Sequence, residues 1–174
     1  AYLRIDGFVW LPTVSIATAA ATFTAQNTGN TKRIRRGILI TCGMGLFLSA
    51  LSGGFILFNR QALISVFTTD PMTVYYGSVC AFFWSSFYWA LISYEVLLGV
   101  LRGFGHTFAT MVISLISTFF LRIIYMTVLM RSSPSFSDII TVYPISWILG
   151  LSLALLCFWE LRHHVTSADS SLHR

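Results

Sequence analysis

Five long apolar runs constrain this chain more than any other feature. They cover residues 7–25, 37–58, 72–101, 107–130 and 139–159. A helix needs about 20 apolar residues to cross a bilayer, and each run meets that length. Hydrophobic residues make up 56% of the 174 residues and charged residues only 10%, which is too apolar for a soluble domain. The sequence therefore predicts an all-α integral membrane protein with five transmembrane helices.

A basic break between the first two runs predicts how these helices are oriented. Basic loops stay on the cytoplasmic side of a membrane. With this break inside, five spans place seven cations in the cytoplasm and three outside. The inner set is Lys32, Arg33, Arg35, Arg36, Arg102, Arg162 and Arg174, and the outer set is Arg4, Arg60 and Arg131. The cations lie at the ends of apolar runs rather than along one face, so nucleic acid is not an expected partner.

The polar breaks predict three further features. Residues 59–70 are too short to span and are expected to form a short amphipathic element in the outer interface. Pro71 is well placed to open the third run, which is expected to continue as one helix to Leu101. Residues 162–174 are expected to form a polar, disordered cytoplasmic tail.

Several short motifs, in their order along the chain, resemble the carboxyl-terminal lobe of a multidrug and toxic compound extrusion (MATE) transporter. The motifs are Gln26-Asn27-Thr28-Gly29 followed by Arg33 and Arg36, Leu101-Arg102-Gly103-Phe104-Gly105, Arg122-Ile123, and Pro144-Ile145-Ser146-Trp147. The resemblance implies a twelve-helix transporter with two six-helix lobes. Residues 1–161 would then be a partial lobe, helices eight to twelve, and the N-terminal lobe and the first helix of this lobe would be missing partners.

The resemblance also implies a coupling-ion carboxylate on the tenth helix, where this chain departs from the family. The corresponding position holds Leu91, and the acidic residue is Glu95, one turn nearer the cytoplasm. Ala25 and Asn30 also replace the Gly and Ala that commonly flank the Gln-Asn loop motif. The family's ion site is therefore not carried over residue by residue.

Glu95 is a candidate proton or cation relay, because a carboxyl group inside a membrane is costly unless it serves a function. The competing interpretation is that Glu95 lies only two turns from Arg102 and reaches the interface or a polar face of the bundle.

Asp6 and Arg122 are a candidate structural ion pair. At 1.5 Å per residue they lie roughly 31 Å and roughly 24 Å from the inner end, a gap that an arginine side chain can close. Glu95, at roughly 10 Å, is too shallow to pair with Arg122.

Aromatic residues crowd the third run and are candidates to line a cavity for flat organic cations. The candidate set is Trp84, Phe87, Tyr88 and Tyr94, together with Leu91 on the same helix. The alternative is ordinary helix packing and lipid contact. Two prolines inside apolar runs, Pro12 and Pro144, are candidate hinges for alternating access or, alternatively, static kinks.

Together these features predict a secondary active antiporter in the plasma or inner membrane, with its C-terminus in the cytoplasm. It would export organic cations in exchange for H⁺ or Na⁺, with membrane lipid around it and no cofactor or metal site beyond the coupling ion. It is not expected to be an enzyme, because no catalytic spacing of His, Asp, Glu or Ser is present. The alternatives are a flippase for lipid-linked intermediates and a helical membrane protein without transport activity.

Overall fold

Every regular element in the computed structural model is helical. It describes the backbone of residues 2–129 and 135–172, and the side chains of residues 6–30, 32–129 and 135–160. The helices are α1 (Tyr2–Gln26), α2 (Thr31–Ser65), α3 (Pro71–Ser85), α4 (Tyr88–Gly103), α5 (Thr107–Ser114), α6 (Leu121–Leu129) and α7 (Phe136–Leu172), with a π-helical turn, Leu115–Phe120, joining α5 to α6. The predicted all-α membrane fold is confirmed.

Within the described residues, four helical segments are long and apolar enough to cross a membrane. They are α1, α2, the continuous α5–α6 segment and α7. The pair α3–α4 also passes when it is counted as one broken span, which gives a fifth. The count therefore depends on how this bent pair is treated.

Helix α4 is the centre of the bundle. It packs against α1, α2, α5 and α7. Ile92, Val96 and Val100 are fully buried, and nearly every other residue of α4 is buried or half-buried. A helix that is apolar on all sides is stable when neighbours surround it, so the remaining spans wrap around α4.

The third run is not one helix, contrary to the prediction. It breaks between Ser85 and Tyr88, where α3 and α4 meet at a 52° bend. The Ser85 hydroxyl donates to the Ala81 carbonyl, and the Ser86 hydroxyl donates to the Phe82 carbonyl over 2.7 Å. Serine hydroxyls that bond back to carbonyls four residues earlier bend helices, and two in succession account for this bend.

Helix α2 extends beyond the second run, so the predicted separate element at residues 59–70 is wrong for residues 59–65. The helix continues to Ser65. Arg60 lies within this helix, and its guanidinium lies 5.2 Å from the centre of the Phe82 ring. A cation over an aromatic face retains favourable electrostatics next to apolar surface.

Helix α3 begins where the sequence indicates. Pro71 occupies its first turn, as predicted, and Asp70 caps it by accepting hydrogen bonds from the Thr73 amide (3.0 Å) and hydroxyl. These bonds hold the pKa of the Asp70 carboxyl below its usual value.

The last helix is longer than expected. Helix α7 continues to Leu172, so the prediction of a disordered tail is wrong as far as that residue.

Candidate functional site

Helices α1 and α4 lie side by side and parallel, with a constant register. A side chain at Gly99 would overlap the Ala17 carbonyl oxygen, and a Cβ at Gly103 would lie 2.5 Å from the Ala21 carbonyl oxygen. Both pairs are separated by 82 residues along the chain, as is a hydrogen-bonded pair farther up the same interface. Glycine lets the two backbones approach this closely. We call this contact the α1–α4 seam.

Asp6 lies at one end of the α1–α4 seam and is held by a neutral group. The Tyr88 hydroxyl donates a hydrogen bond of 2.7 Å to Asp6 Oδ1. Tyr88 is fully buried and Asp6 is half-buried. Among the side chains that the structure describes, no cation pairs with Asp6. Within the described side chains, a hydroxyl therefore stabilises the carboxylate and no cation neutralises it.

Glu95 lies on the same face of α4, farther along the seam. It is seven residues from Tyr88 and four from Gly99, spacings that place all three on one helix face. The seam register places Glu95 level with Thr13, about 10 Å from the level of Asp6. Glu95 is half-buried and makes no hydrogen bond or ion pair with another described side chain. The predicted neighbour, Arg102, lies about two turns farther along α4.

Arg122 has partners other than the one expected. Its Nε and Nη2 atoms donate to Ser146 Oγ over 3.3 and 3.2 Å, and the guanidinium lies 4.3 Å from the centre of the Tyr143 ring. The structure therefore does not bring Asp6 and Arg122 together. A guanidinium binds a planar ring and a hydroxyl at once, so the Arg122 side chain of α6 is held by two residues of α7 and by no described carboxylate.

Four rings separate Asp6 from Arg122, and we call them the aromatic layer: Trp84, Tyr88, Tyr143 and Trp147. Their centres lie 4.3 Å apart for Trp84 and Tyr143, 6.3 Å for Tyr88 and Trp147, and 6.4 Å for Tyr143 and Trp147. Asp6 contacts this layer from α1 and Arg122 contacts it from α6. Offset and tilted aromatic pairs at these distances are favourable. The layer joins α3, α4 and α7 while keeping the two charges apart.

The aromatic layer also supplies a hydrogen bond that the α7 backbone lacks because of Pro144. Proline has no N–H, so the Ile140 carbonyl four residues earlier receives no helical hydrogen bond from it. The Trp84 indole Nε1 donates to this carbonyl over 3.0 Å. Pro144 and Pro12 both lie inside continuous helices. Whether either proline acts as a hinge stays a prediction.

Most of the residues predicted to line a substrate cavity are packed inside the bundle. Trp84, Tyr88, Leu91 and Tyr94 are buried, and Phe87 is half-buried at the break before α4. Whether these residues contact a substrate stays a prediction.

One polar contact, at the π-helical turn, was not predicted from the sequence. The Tyr94 hydroxyl bonds to Ser114 Oγ (3.1 Å) and to Ser117 Oγ (3.3 Å). These serines flank and enter the turn Leu115–Phe120. A π turn in a helix often marks a functional position. The signal available in the sequence was only a pair of serines three residues apart, which is too common to single out.

The fold and these charged positions define a multi-pass helical membrane protein with ionisable side chains inside its spans. Residues 1–128 match the model of the MatE family, and the chain belongs to that family. Its members are membrane efflux transporters rather than enzymes, so the predicted family and its general function are confirmed. No curated protein and no solved structure matches the chain.

Proposed function

We propose that this transporter is a secondary active antiporter that exports organic cations in exchange for H⁺ or Na⁺. The observation that carries the proposal is the pair of carboxylates on the α1–α4 seam. Neither Asp6 nor Glu95 pairs with a described cation, and both lie within or beside apolar helices. A carboxylate in that setting becomes less costly when it binds a proton or a sodium ion.

The seam offers a route between the two carboxylates. Asp6 and Glu95 lie about 10 Å apart along parallel helices, and Thr13 lies at the level of Glu95. Its hydroxyl donates to the Val9 carbonyl over 2.7 Å, which leaves its oxygen free to accept. We assign Asp6 the role of an ion-binding carboxylate with Tyr88 as its positioning residue, and Glu95 the role of relay.

Ion binding would drive transport by changing the balance between two states. In alternating access, one lobe rocks against the other, and an ion shifts the balance only if it binds one state more tightly. Protonation of Asp6 removes the charge that the Tyr88 hydroxyl stabilises and so weakens that contact. Since the Tyr88 ring also lies against the Trp147 ring of α7, a weaker contact between Tyr88 and Asp6 would alter the packing between α4 and α7.

The rival interpretation, a flippase for lipid-linked intermediates, would favour a basic central cavity. Arg122 is the only arginine deep within a predicted span, and its guanidinium is already occupied by Ser146 and Tyr143. Antiport therefore fits this arrangement better.

The test is efflux of a fluorescent cationic dye from proteoliposomes that contain the complete protein, driven by an imposed H⁺ or Na⁺ gradient. Asp6→Asn and Glu95→Gln are each expected to lower gradient-driven efflux at least tenfold. Tyr88→Phe is expected to shift its pH or Na⁺ dependence while transport continues. Asp70→Asn, a change at an exposed carboxylate, is the matched control and should leave efflux within twofold.

Two results would contradict the proposal. Unchanged efflux and unchanged ion dependence in both carboxylate variants would remove the seam from the mechanism. Dye movement that ignores both gradients in the unsubstituted protein would remove antiport altogether.

A further inference from the structure

A groove opens between α1 and α2 at the end of the bundle where the two helices are connected. It encloses about 420 Å³. Ala19 and Phe23 of α1 and Ile40 of α2 form apolar walls, and Arg33 and Arg36 lie at the end nearest the connection. One end of the groove is thus strongly basic, and the rest is apolar.

The floor of the groove depends on a glycine. A Cβ at Gly37 would overlap the ring of Phe23, so the ring lies directly over the α2 backbone. Gly37 itself is buried, and Phe23 is half-buried. The Phe23 ring can take this position only because residue 37 has no side chain, and the ring gives the groove a flat aromatic surface.

The two arginines at the groove have no counter-charge among the residues whose side chains are described. Both are exposed, and neither guanidinium forms an ion pair, a hydrogen bond or a ring contact with any described residue. Lys32 and Arg35 add two further positive charges in the same turn region. An anion at this end would meet an excess of cations and no carboxylate among the described residues that line the groove.

The charge and the apolar surface are arranged in the order found in a phospholipid. From Arg33 to Ile40 the rise along α2 is about 10 Å, so the groove leads from the helix end into the depth of the hydrocarbon. A free phosphate would use only the basic end. A partner helix would have to bury two unpaired guanidiniums at its edge, which is costly.

We propose that this groove is a binding site for an anionic phospholipid. The headgroup phosphate lies between Arg33 and Arg36, which can each form paired N–H···O bonds with it. The first part of one acyl chain lies against Phe23 and Ile40. Basic pockets between membrane helices near the cytoplasmic surface recognise anionic lipid headgroups in this way.

The test is native mass spectrometry of the complete protein, purified in detergent and titrated with dioleoyl phosphatidylglycerol or dioleoyl phosphatidylcholine. The unsubstituted protein is expected to bind phosphatidylglycerol in preference. The double variant Arg33→Gln/Arg36→Gln should lower phosphatidylglycerol affinity by about fivefold or more. The matched control Lys32→Gln/Arg35→Gln removes the same charge from outside the groove and should change affinity less than twofold.

A second variant tests the acyl-chain part without changing charge. Ala19→Phe places a ring in the groove and is expected to weaken phosphatidylglycerol binding as well. Circular dichroism and gel filtration establish that each variant is folded, and Arg33→Lys/Arg36→Lys, which keeps the charge, should retain part of the affinity. Inorganic phosphate at millimolar concentration should not displace the lipid.

Four outcomes would overturn the proposal. Equal losses in the two charge-removing double variants would mean general surface attraction rather than a site. Displacement by inorganic phosphate would mean a simple anion site. An unaffected Ala19→Phe variant would remove the acyl chain from the groove. Absence of any preference for phosphatidylglycerol would mean that another part of the protein or an uncharged molecule covers it.

Discussion

The hydrogen bond from Trp84 to the Ile140 carbonyl gives the sharpest test of the packing. Trp84→Phe removes the indole donor and leaves a buried carbonyl that Pro144 cannot satisfy. An unsatisfied buried acceptor costs about 1–3 kcal/mol, although helix-to-helix hydrogen bonds in membranes average only about 0.6 kcal/mol. The smaller ring also loses part of its contact with Tyr143, at a further cost.

A double-mutant cycle separates these two costs. In a Pro144→Ala background, the backbone N–H at position 144 can donate to the Ile140 carbonyl, so Trp84→Phe should no longer leave that carbonyl unsatisfied. The expected coupling energy is about 0.6–2 kcal/mol, or roughly a 3- to 30-fold difference in the unfolding equilibrium constant. The assay is reversible unfolding in mixed micelles by titration with a denaturing detergent, followed by circular dichroism.

Pro12→Ala supplies the control for this cycle. Pro12 also lies inside a helix and leaves a carbonyl of α1 without its helical hydrogen bond. Trp84 donates to the Ile140 carbonyl of α7 and not to that one. Trp84→Phe should therefore cost the same with and without Pro12→Ala. If Trp84→Phe also costs the same with and without Pro144→Ala, the carbonyl is satisfied in some other way and the reasoning fails.

Two further predictions concern the seam and the start of α3. Gly99→Val should lower the free energy of unfolding by about 1–3 kcal/mol, because its side chain meets the Ala17 carbonyl, whereas Gly43→Val, which points into open space, should change it by less than about 0.5 kcal/mol. Asp70→Ala should lower the melting temperature at pH 7 by removing the cap of α3. Because folding lowers the Asp70 pKa, this difference should be complete above the ordinary value of 3.8 and should disappear as the pH falls below it.

Each of these has a clear contrary result. Equal effects of the two glycine substitutions would show that the close approach at Gly99 carries no cost. A melting-temperature difference for Asp70→Ala that does not shrink as the pH falls through the lowered pKa of Asp70 would show that the carboxylate charge is not responsible.

The fold class could be predicted because it depends on local composition. Apolar runs of spanning length allow little except helices, since a membrane supplies no partner for an unpaired backbone group. The start of α3 was equally local, because Asp70 and Pro71 form a cap and a first turn within four residues. Such features need no knowledge of which helices are neighbours.

The partners of Asp6 and Arg122 could not be predicted in the same way. Counting residues gives the depth of a side chain but not its position around the bundle. The aromatic layer lies between these two residues, and it forms from rings as far apart in sequence as Trp84 and Tyr143. The bend between α3 and α4 escaped prediction because a serine pair is tolerated in many straight helices. Here Ser85 also meets the α2 backbone at Gly53.

The register of the α1–α4 seam determines how long, during synthesis, α1 exists before the residues of α4 that it contacts have been made. Its contacts join residues 82 positions apart, so at 5–20 residues per second α1 is made about 4–16 s before its partner positions on α4. Throughout that interval, Thr13 and Thr18 need no neighbour, because their hydroxyls bond to the Val9 and Val14 carbonyls of α1 itself. A helix whose hydroxyls donate to its own carbonyls can remain in lipid before its partner is made, because these hydroxyls do not expose an unpaired donor.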